Sequence, residues 1–205
     1  IYNVLIAAYQ GGQQWDEADN LLQEMRQSKF PPNAMTYTTL ITGCAQSNRS
    51  ARARELLGEM QAEGIAPNTY TYTALITACT KDGHWQEALE VFEDMQRANI
   101  PANTVTFNAA LGACEDGLQW EQALELYMHM RETPEATPDM LTYRAVVATC
   151  KAAGHLDQAT DVLEDMLQAE TRAGTTVAYN TLMTACAQAG RWEDTVQVYG
   201  KMRAA

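Results

Sequence analysis

An all-α solenoid of about six stacked helix-turn-helix repeats is the fold this sequence predicts, because several residue types recur in phase. Cysteine stands at Cys44, Cys79, Cys114, Cys150 and Cys186, spaced 35, 35, 36 and 36 residues apart. An aromatic stands at Tyr2, Tyr37, Tyr72, Phe107, Tyr143 and Tyr179, and methionine at Met25, Met60, Met95, Met130, Met166 and Met202. Alanine recurs at Ala18, Ala53, Ala88, Ala123 and Ala159, with Thr195 in the sixth copy. A fixed period of this length marks a repeat array, in which each unit contacts only its neighbours and no central core is required.

Taken in register, the units are 1–33, 34–68, 69–103, 104–139, 140–175 and 176–205, one array over the whole chain, with Tyr9 filling the cysteine slot of the first copy. Within 69–103, Tyr72, Leu75, Ile76 and Cys79 form an i, i+3, i+4, i+7 stripe, the face of one helix. Lys81-Asp82-Gly83-His84 is a polar turn, with Gly83 suited to end that helix. Trp85, Ala88, Leu89, Val91, Phe92 and Met95 make a second helical face, and the chain then reaches Asn99-Ile100-Pro101, where proline stops it. Pro67 and Pro138 mark equivalent stops, and the longer units carry their extra residue in Arg131–Asp139 and Leu167–Thr175. The small slots let helices of adjacent hairpins approach, and methionine fills the irregular gap between units. Asp16, Glu17, Glu87, Glu121 and Asp157 open second helices, where negative charge favours the helix N-terminus.

Composition narrows the function. The 14 Lys and Arg against 26 Asp and Glu give a net charge of −12 and a pI near 4.6, which argues against strong non-specific nucleic-acid binding. No stretch approaches the roughly 18 unbroken apolar residues of a membrane span. Cysteines spread evenly along a solenoid cannot meet in pairs, so a reducing compartment is expected and disulfides are not. No CxxC or His-x-x-x-His spacing argues for a metal, and no glycine-rich loop for a nucleotide; no cofactor and no catalytic set are expected. His84, His129 and His155 read as surface residues, and Asn48-Arg49-Ser50 fits a glycosylation pattern without a secretory signal. The chain begins and ends within repeats, as a portion of something longer would.

The choice among helical-hairpin repeats turns on particular residues. Tetratricopeptide repeats share the alanine and the aromatic of Phe92, Tyr127 and Tyr199, but place tryptophan early in the first helix. Here Trp15, Trp85, Trp120 and Trp192 open the second helix, and first helices begin as Thr36-Tyr37-Thr38-Thr39-Leu40-Ile41 or Ala178-Tyr179-Asn180-Thr181-Leu182-Met183. With Pro67-Asn68 and Pro138-Asp139 at unit ends, the chain closely resembles the pentatricopeptide repeat family over essentially its whole length.

The resemblance implies a right-handed α-solenoid whose first helices line a concave groove. It also implies a mitochondrial or chloroplast protein that binds single-stranded RNA, one base per repeat. The family's base-reading pair falls at Asn3 with Asn33, Thr38 with Asn68, Thr73 with Asn103 and Asn108 with Asp139; Asn180 has no partner within the chain. Aspartate, an acceptor, suits the imino N–H of G or U, whereas asparagine can donate to the ring nitrogen of A or C. The family pairs a hydroxyl with purines and an amide with pyrimidines, giving an expected core of 5′-(C/U)AAU. Arg144 with Thr175 matches no readable combination. Bases would be sandwiched by Met35, Tyr70, Val105, Leu141 and Val177. Lys81 alone occupies the family's phosphate slot, with Lys151 one residue early, so weak RNA binding by this chain alone is expected. The competing expectation is a protein-binding scaffold, or a structural subunit of an organellar assembly, with protein partners at the groove or at exposed terminal repeats.

Overall fold

The computed structural model describes residues 2–168, 179–180, 183–184, 186–187 and 190–204. Among them are the helices α1 (Tyr2–Gly11), α2 (Trp15–Gln27), α3 (Ala34–Gln46), α4 (Ser50–Ala62), α5 (Thr69–Lys81) and α6 (Trp85–Arg97). There follow α7 (Thr104–Gly117), α8 (Trp120–Glu132), α9 (Met140–Ala152), α10 (Leu156–Gln168) and α11 (Trp192–Ala204), and the described residues hold no strand. The chain forms two compact units, Ile1–Pro101 and Ala102–Ala205.

In the first unit the hairpins α1–α2, α3–α4 and α5–α6 stack so that α1, α3 and α5 lie side by side. The recurring slots are its core: Tyr37, Ile41, Ala53, Met60, Leu75, Ile76, Cys79, Ala88 and Met95 are buried. The turn inside each hairpin explains the regular cysteine. One residue there takes a left-handed conformation, with φ of 58° at Gln13, 53° at Asn48 and 78° at Gly83. The next backbone N–H then reaches back to a first-helix carbonyl: Gln14 to Tyr9 (2.8 Å), Arg49 to Cys44 (3.2 Å) and His84 to Cys79 (2.9 Å). The cysteine slot therefore sits at the last buried turn of each first helix, where a short apolar side chain fits and the carbonyl closes the hairpin. Tyr9 does the same in the first copy.

Neighbouring first helices match by size. Gln10 is buried and donates from Nε2 to the Leu40 carbonyl (2.9 Å), and a Cβ on Gly43 would stand 2.1 Å from its Cδ. One repeat on, the same two slots hold the buried pair Ala45 and Ala78.

In the second unit α7 packs on α8 and α9, and α9 on α8 and α10. Tyr127 meets Tyr143 edge-on (5.9 Å between centroids) and donates its hydroxyl to Asp165 (3.2 Å), which also pairs with Arg131. The hairpin turns carry positive φ again at Leu118 (53°), Gly154 (82°) and Gly190 (72°). His84 and His129 are exposed as expected, but both make packing contacts: His84 Nδ1 meets Ser50 Oγ of the preceding repeat (3.1 Å), and His129 lies edge-on to Phe107 of its own repeat (5.4 Å). His155 corrects the surface expectation, since it is half-buried and stacked on Trp120 at 3.7 Å. All five cysteines are buried free thiols, and desolvation pushes Cys44 and Cys150 up to about 11 and Cys114 up to about 12. They stay protonated at neutral pH, as packing residues should.

Candidate nucleic-acid interface

The last residue of each of the first four units is the N-cap of the next first helix. Asn33, Asn68, Asn103 and Asp139 are extended, and each Oδ1 accepts from the backbone N–H three residues on, at Thr36, Thr71, Thr106 and Thr142 (3.0 Å each). Those threonines return the bond, Oγ1 accepting from the cap N–H at 3.1–3.4 Å, and all four are fully buried. This is a capping box closed by threonine instead of glutamate. Capping was missed in the sequence; Asn-x-x-Thr before an apolar run was its signal.

The cap dictates what each tip offers a ligand. In the three asparagines Oδ1 is committed, and among the described residues nothing meets Nδ2, so each presents N–H donors. In Asp139, Oδ1 accepts from Leu141 and Thr142 N–H, and the carboxylate also takes Asn108 Nδ2 (3.0 Å to Oδ1, 3.1 Å to Oδ2). Among the described residues Oδ2 carries that one bond, and it keeps lone pairs for an outside donor. Residues 31 apart in sequence are thus brought into direct contact.

The other residues expected to read bases, Asn3, Thr38, Thr73 and Asn108, are half-buried and partly engaged between repeats. Asn3 Oδ1 accepts from Thr36 Oγ1 (2.9 Å), and among the described residues its Nδ2 meets no acceptor. Thr38 Oγ1 donates to the Ala34 carbonyl (2.7 Å) and meets Thr71 Oγ1 (2.9 Å). Thr73 Oγ1 donates to the Thr69 carbonyl (2.7 Å), and Asn108 Oδ1 accepts from Thr142 Oγ1 (2.7 Å). Asn180 and Arg144 are exposed; Thr175 and Val177 lie outside the described residues.

The intended stacking residues are large apolar groups left in solvent: Met35 is 67% exposed, Tyr70 72%, Val105 63% and Leu141 54%. Within the first unit Met35 and Tyr70 line one cleft of about 740 Å³, and Thr38 and Asn68 line the same cleft. Lys81 is exposed at the end of α5, Lys151 is half-buried at the end of α9, and among the described residues neither is held in an ion pair.

Charge is divided by helix. The first helices carry Lys81, Arg144 and Lys151 against Glu115 and Asp116, and α1 and α3 carry no charge at all. The second helices hold nineteen of the acidic residues and seven of the basic ones, a net −12 equal to that of the whole chain. The face that bears the asparagine and threonine tips is therefore close to neutral, and the composition-level objection to an anionic ligand loses its force.

The sequence matches the pentatricopeptide repeat domain over residues 55–116, the PPR repeat family over 1–46, and the PPR repeat over 35–65, 105–133 and 177–205. The chain belongs to the pentatricopeptide repeat family. Its fold agrees with that of solved pentatricopeptide repeat solenoids. The maize protein PPR10 is 27% identical with a TM-score of 0.70, covering 98% of this chain and 29% of the maize one. PPR10 in complex with an 18-nt psaJ RNA element gives 25% identity and a TM-score of 0.69, over 100% of this chain and 28% of that one. The pentatricopeptide repeat domain of Arabidopsis thaliana protein-only RNase P 1 in complex with tRNA gives a TM-score of 0.72 at 16% identity, over 90% of this chain and 100% of that one; this likeness concerns the fold alone. This chain thus spans less than a third of the maize protein's length. No curated protein matches the sequence.

Proposed function

We propose that this pentatricopeptide repeat array, taken as one run over residues 1–205, binds single-stranded RNA with one base per repeat and a preferred core of 5′-(C/U)AAU. The cleft that carries both Met35 and Tyr70 together with Thr38 and Asn68 is the observation that carries the reading. An adenine inserted there stacks between two exposed apolar side chains, and the Asn68 Nδ2–H donates to its ring nitrogen. Asn103 offers the same donor to the next base beside Thr73, and Asp139 Oδ2 accepts the imino N–H of uracil beside Asn108. Asn3 with Asn33 takes a pyrimidine, and Val105 and Leu141 continue the stacking. Lys81 and Lys151 meet phosphates. The maize relative in complex with RNA supports this direction.

The cell-level role follows from covering single-stranded RNA in a mitochondrion or chloroplast: processing, stabilisation, splicing or translation. No step of bond chemistry is assigned to these residues. The test compares an oligonucleotide containing CAAU with its scrambled version at low salt. CAAU is expected to bind more tightly, and Thr73→Asn to move the third preference from A to C. Equal affinity for both, or none for either, contradicts the reading and favours the protein scaffold.

A further inference from the structure

The loop that leaves α2 differs from its two counterparts in the first unit. After α4 and α6 the chain passes through a left-handed residue, Gly64 (φ 71°) or Asn99 (φ 54°), and the following isoleucine tucks back. Ile65 N donates to the Met60 carbonyl (3.0 Å) and Ile100 N to the Met95 carbonyl (3.1 Å), and both side chains are half-buried. At the matching position stands Phe30, preceded by Lys29, and neither reverses. Ser28 ends α2 in an extended conformation, its Oγ donating to the Met25 carbonyl (3.0 Å) and accepting from Phe30 N (3.0 Å). Pro31 follows, which restricts Phe30 to extended backbone. The ring is held out on a pre-ordered loop, 67% exposed. It lines a cleft of about 430 Å³ that also contains Asn3, Asn33 and Lys29, whose ammonium has no ion-pair partner among the described residues.

From this we infer that Lys29 and Phe30 form a nucleotide platform beside Asn3 and Asn33. It takes the 5′-side pyrimidine nucleotide of the RNA, its base on the Phe30 ring and its phosphate at the Lys29 ammonium. The inference rests on the RNA reading above. An aromatic face accepts any base with little sequence preference, while the two amides beside it supply hydrogen-bond donors to a pyrimidine. Holding the ring in place beforehand lowers the ordering cost of binding.

The test uses the full chain and three oligonucleotides: CAAU, the same RNA with its first base removed to leave an abasic sugar, and a scrambled control. Phe30→Ile installs the residue found at Ile65 and Ile100. It is expected to weaken CAAU about five- to tenfold, the lower range of base–aromatic stacking, and to leave the abasic RNA unchanged. Phe30→Trp is expected to give a fluorescence signal quenched by CAAU and not by the abasic RNA. Lys29→Gln is expected to lower the salt slope of binding by about 0.7, one single-strand phosphate contact. Equal losses on CAAU and abasic RNA, or none on either, overturn the platform while preference for CAAU over the scramble keeps the RNA reading. Failure of the unmodified chain to prefer CAAU overturns both.

Discussion

First and second helices of these repeats are similar in length and unlike in chemistry. The first helices α3, α5, α7 and α9 open with a full capping box and present hydroxyls and amides; four of the second helices have no side-chain cap, at Gln14, Arg49, His84 and Gln119. Acids in their first turns, such as Asp16, Glu87 and Glu121, answer the helix dipole instead. The second helices also make cross-repeat ion pairs, Arg26 with Glu59 (2.8 Å) and Arg52 with Asp19 (3.0 Å) among them. A capped helix start fixes the geometry of its polar tip, which is what the proposed base discrimination requires, whereas a charged, screened surface holds neighbours together without demanding one geometry. Net charge averages over both and describes neither.

The largest expected effect probes the fit between first helices. Gly43→Ala drives a Cβ into the buried Gln10 amide and is expected to cost about 1–3 kcal/mol by overpacking, read by denaturant unfolding. Adding Gln10→Ala recreates the pair seen at Ala45 and Ala78 and should remove most of that cost; a loss that persists would place the strain elsewhere. A turn residue comes next. Leu118 is left-handed at φ 53° and 55% exposed, so Leu118→Gly should stabilise by about 0.5–1 kcal/mol once the added backbone entropy is subtracted.

The second helices should respond to pH. Burial alone would raise Glu59, but Arg52 and Arg26, each at 2.8 Å, outweigh it and hold its carboxyl below the ordinary range. Its folded pKa is depressed, so its contribution is complete above the unfolded value near ~4.3 and is lost as pH falls through the folded one. Glu59→Gln should therefore cost at most about 1 kcal/mol at pH 7, shrinking toward zero as pH falls through the folded value. A difference that stayed constant with pH would mean that the charge is not what matters. The smallest effect concerns RNA. Replacing Glu90, Glu125 and Asp161 together by amides removes three negative charges, yet should change affinity for CAAU less than about twofold at 0.15 M salt. The helix layers lie about 8–10 Å apart, close to one Debye length.

The repeat was legible in sequence because a solenoid puts the same side chain in the same environment each period. The buried tyrosines, alanines and cysteines and the left-handed Gly83 followed from that. Leu118 was not, since nothing in its side chain favours positive φ and the hairpin geometry imposes it. Gln10 against Gly43 was illegible for a related reason: it is a contact between repeats, and each residue alone looks like a departure from the pattern. The polarity of the reading tips lay in between. Their positions came from the family resemblance, but which atom faces outward depends on the capping box. Phe30 carries no repeat signal of its own in the sequence, and only its failure to tuck like Ile65 sets it apart.

The central claim is that the cap-held atom of the last residue decides which base is taken, and Asp139 tests it with least disturbance. Asparagine caps a helix about as well as aspartate, so Asp139→Asn keeps the fold and replaces an acceptor by a donor at one point. The pair with Asn108 then has the same composition as Asn3 with Asn33. Titration with CAAU and CAAC should show the preference pass from U to C at the fourth base by about tenfold or more, within the ~1–3 kcal/mol of a well-made base contact. An unchanged ratio, with the variant still folded and still binding, would contradict the account.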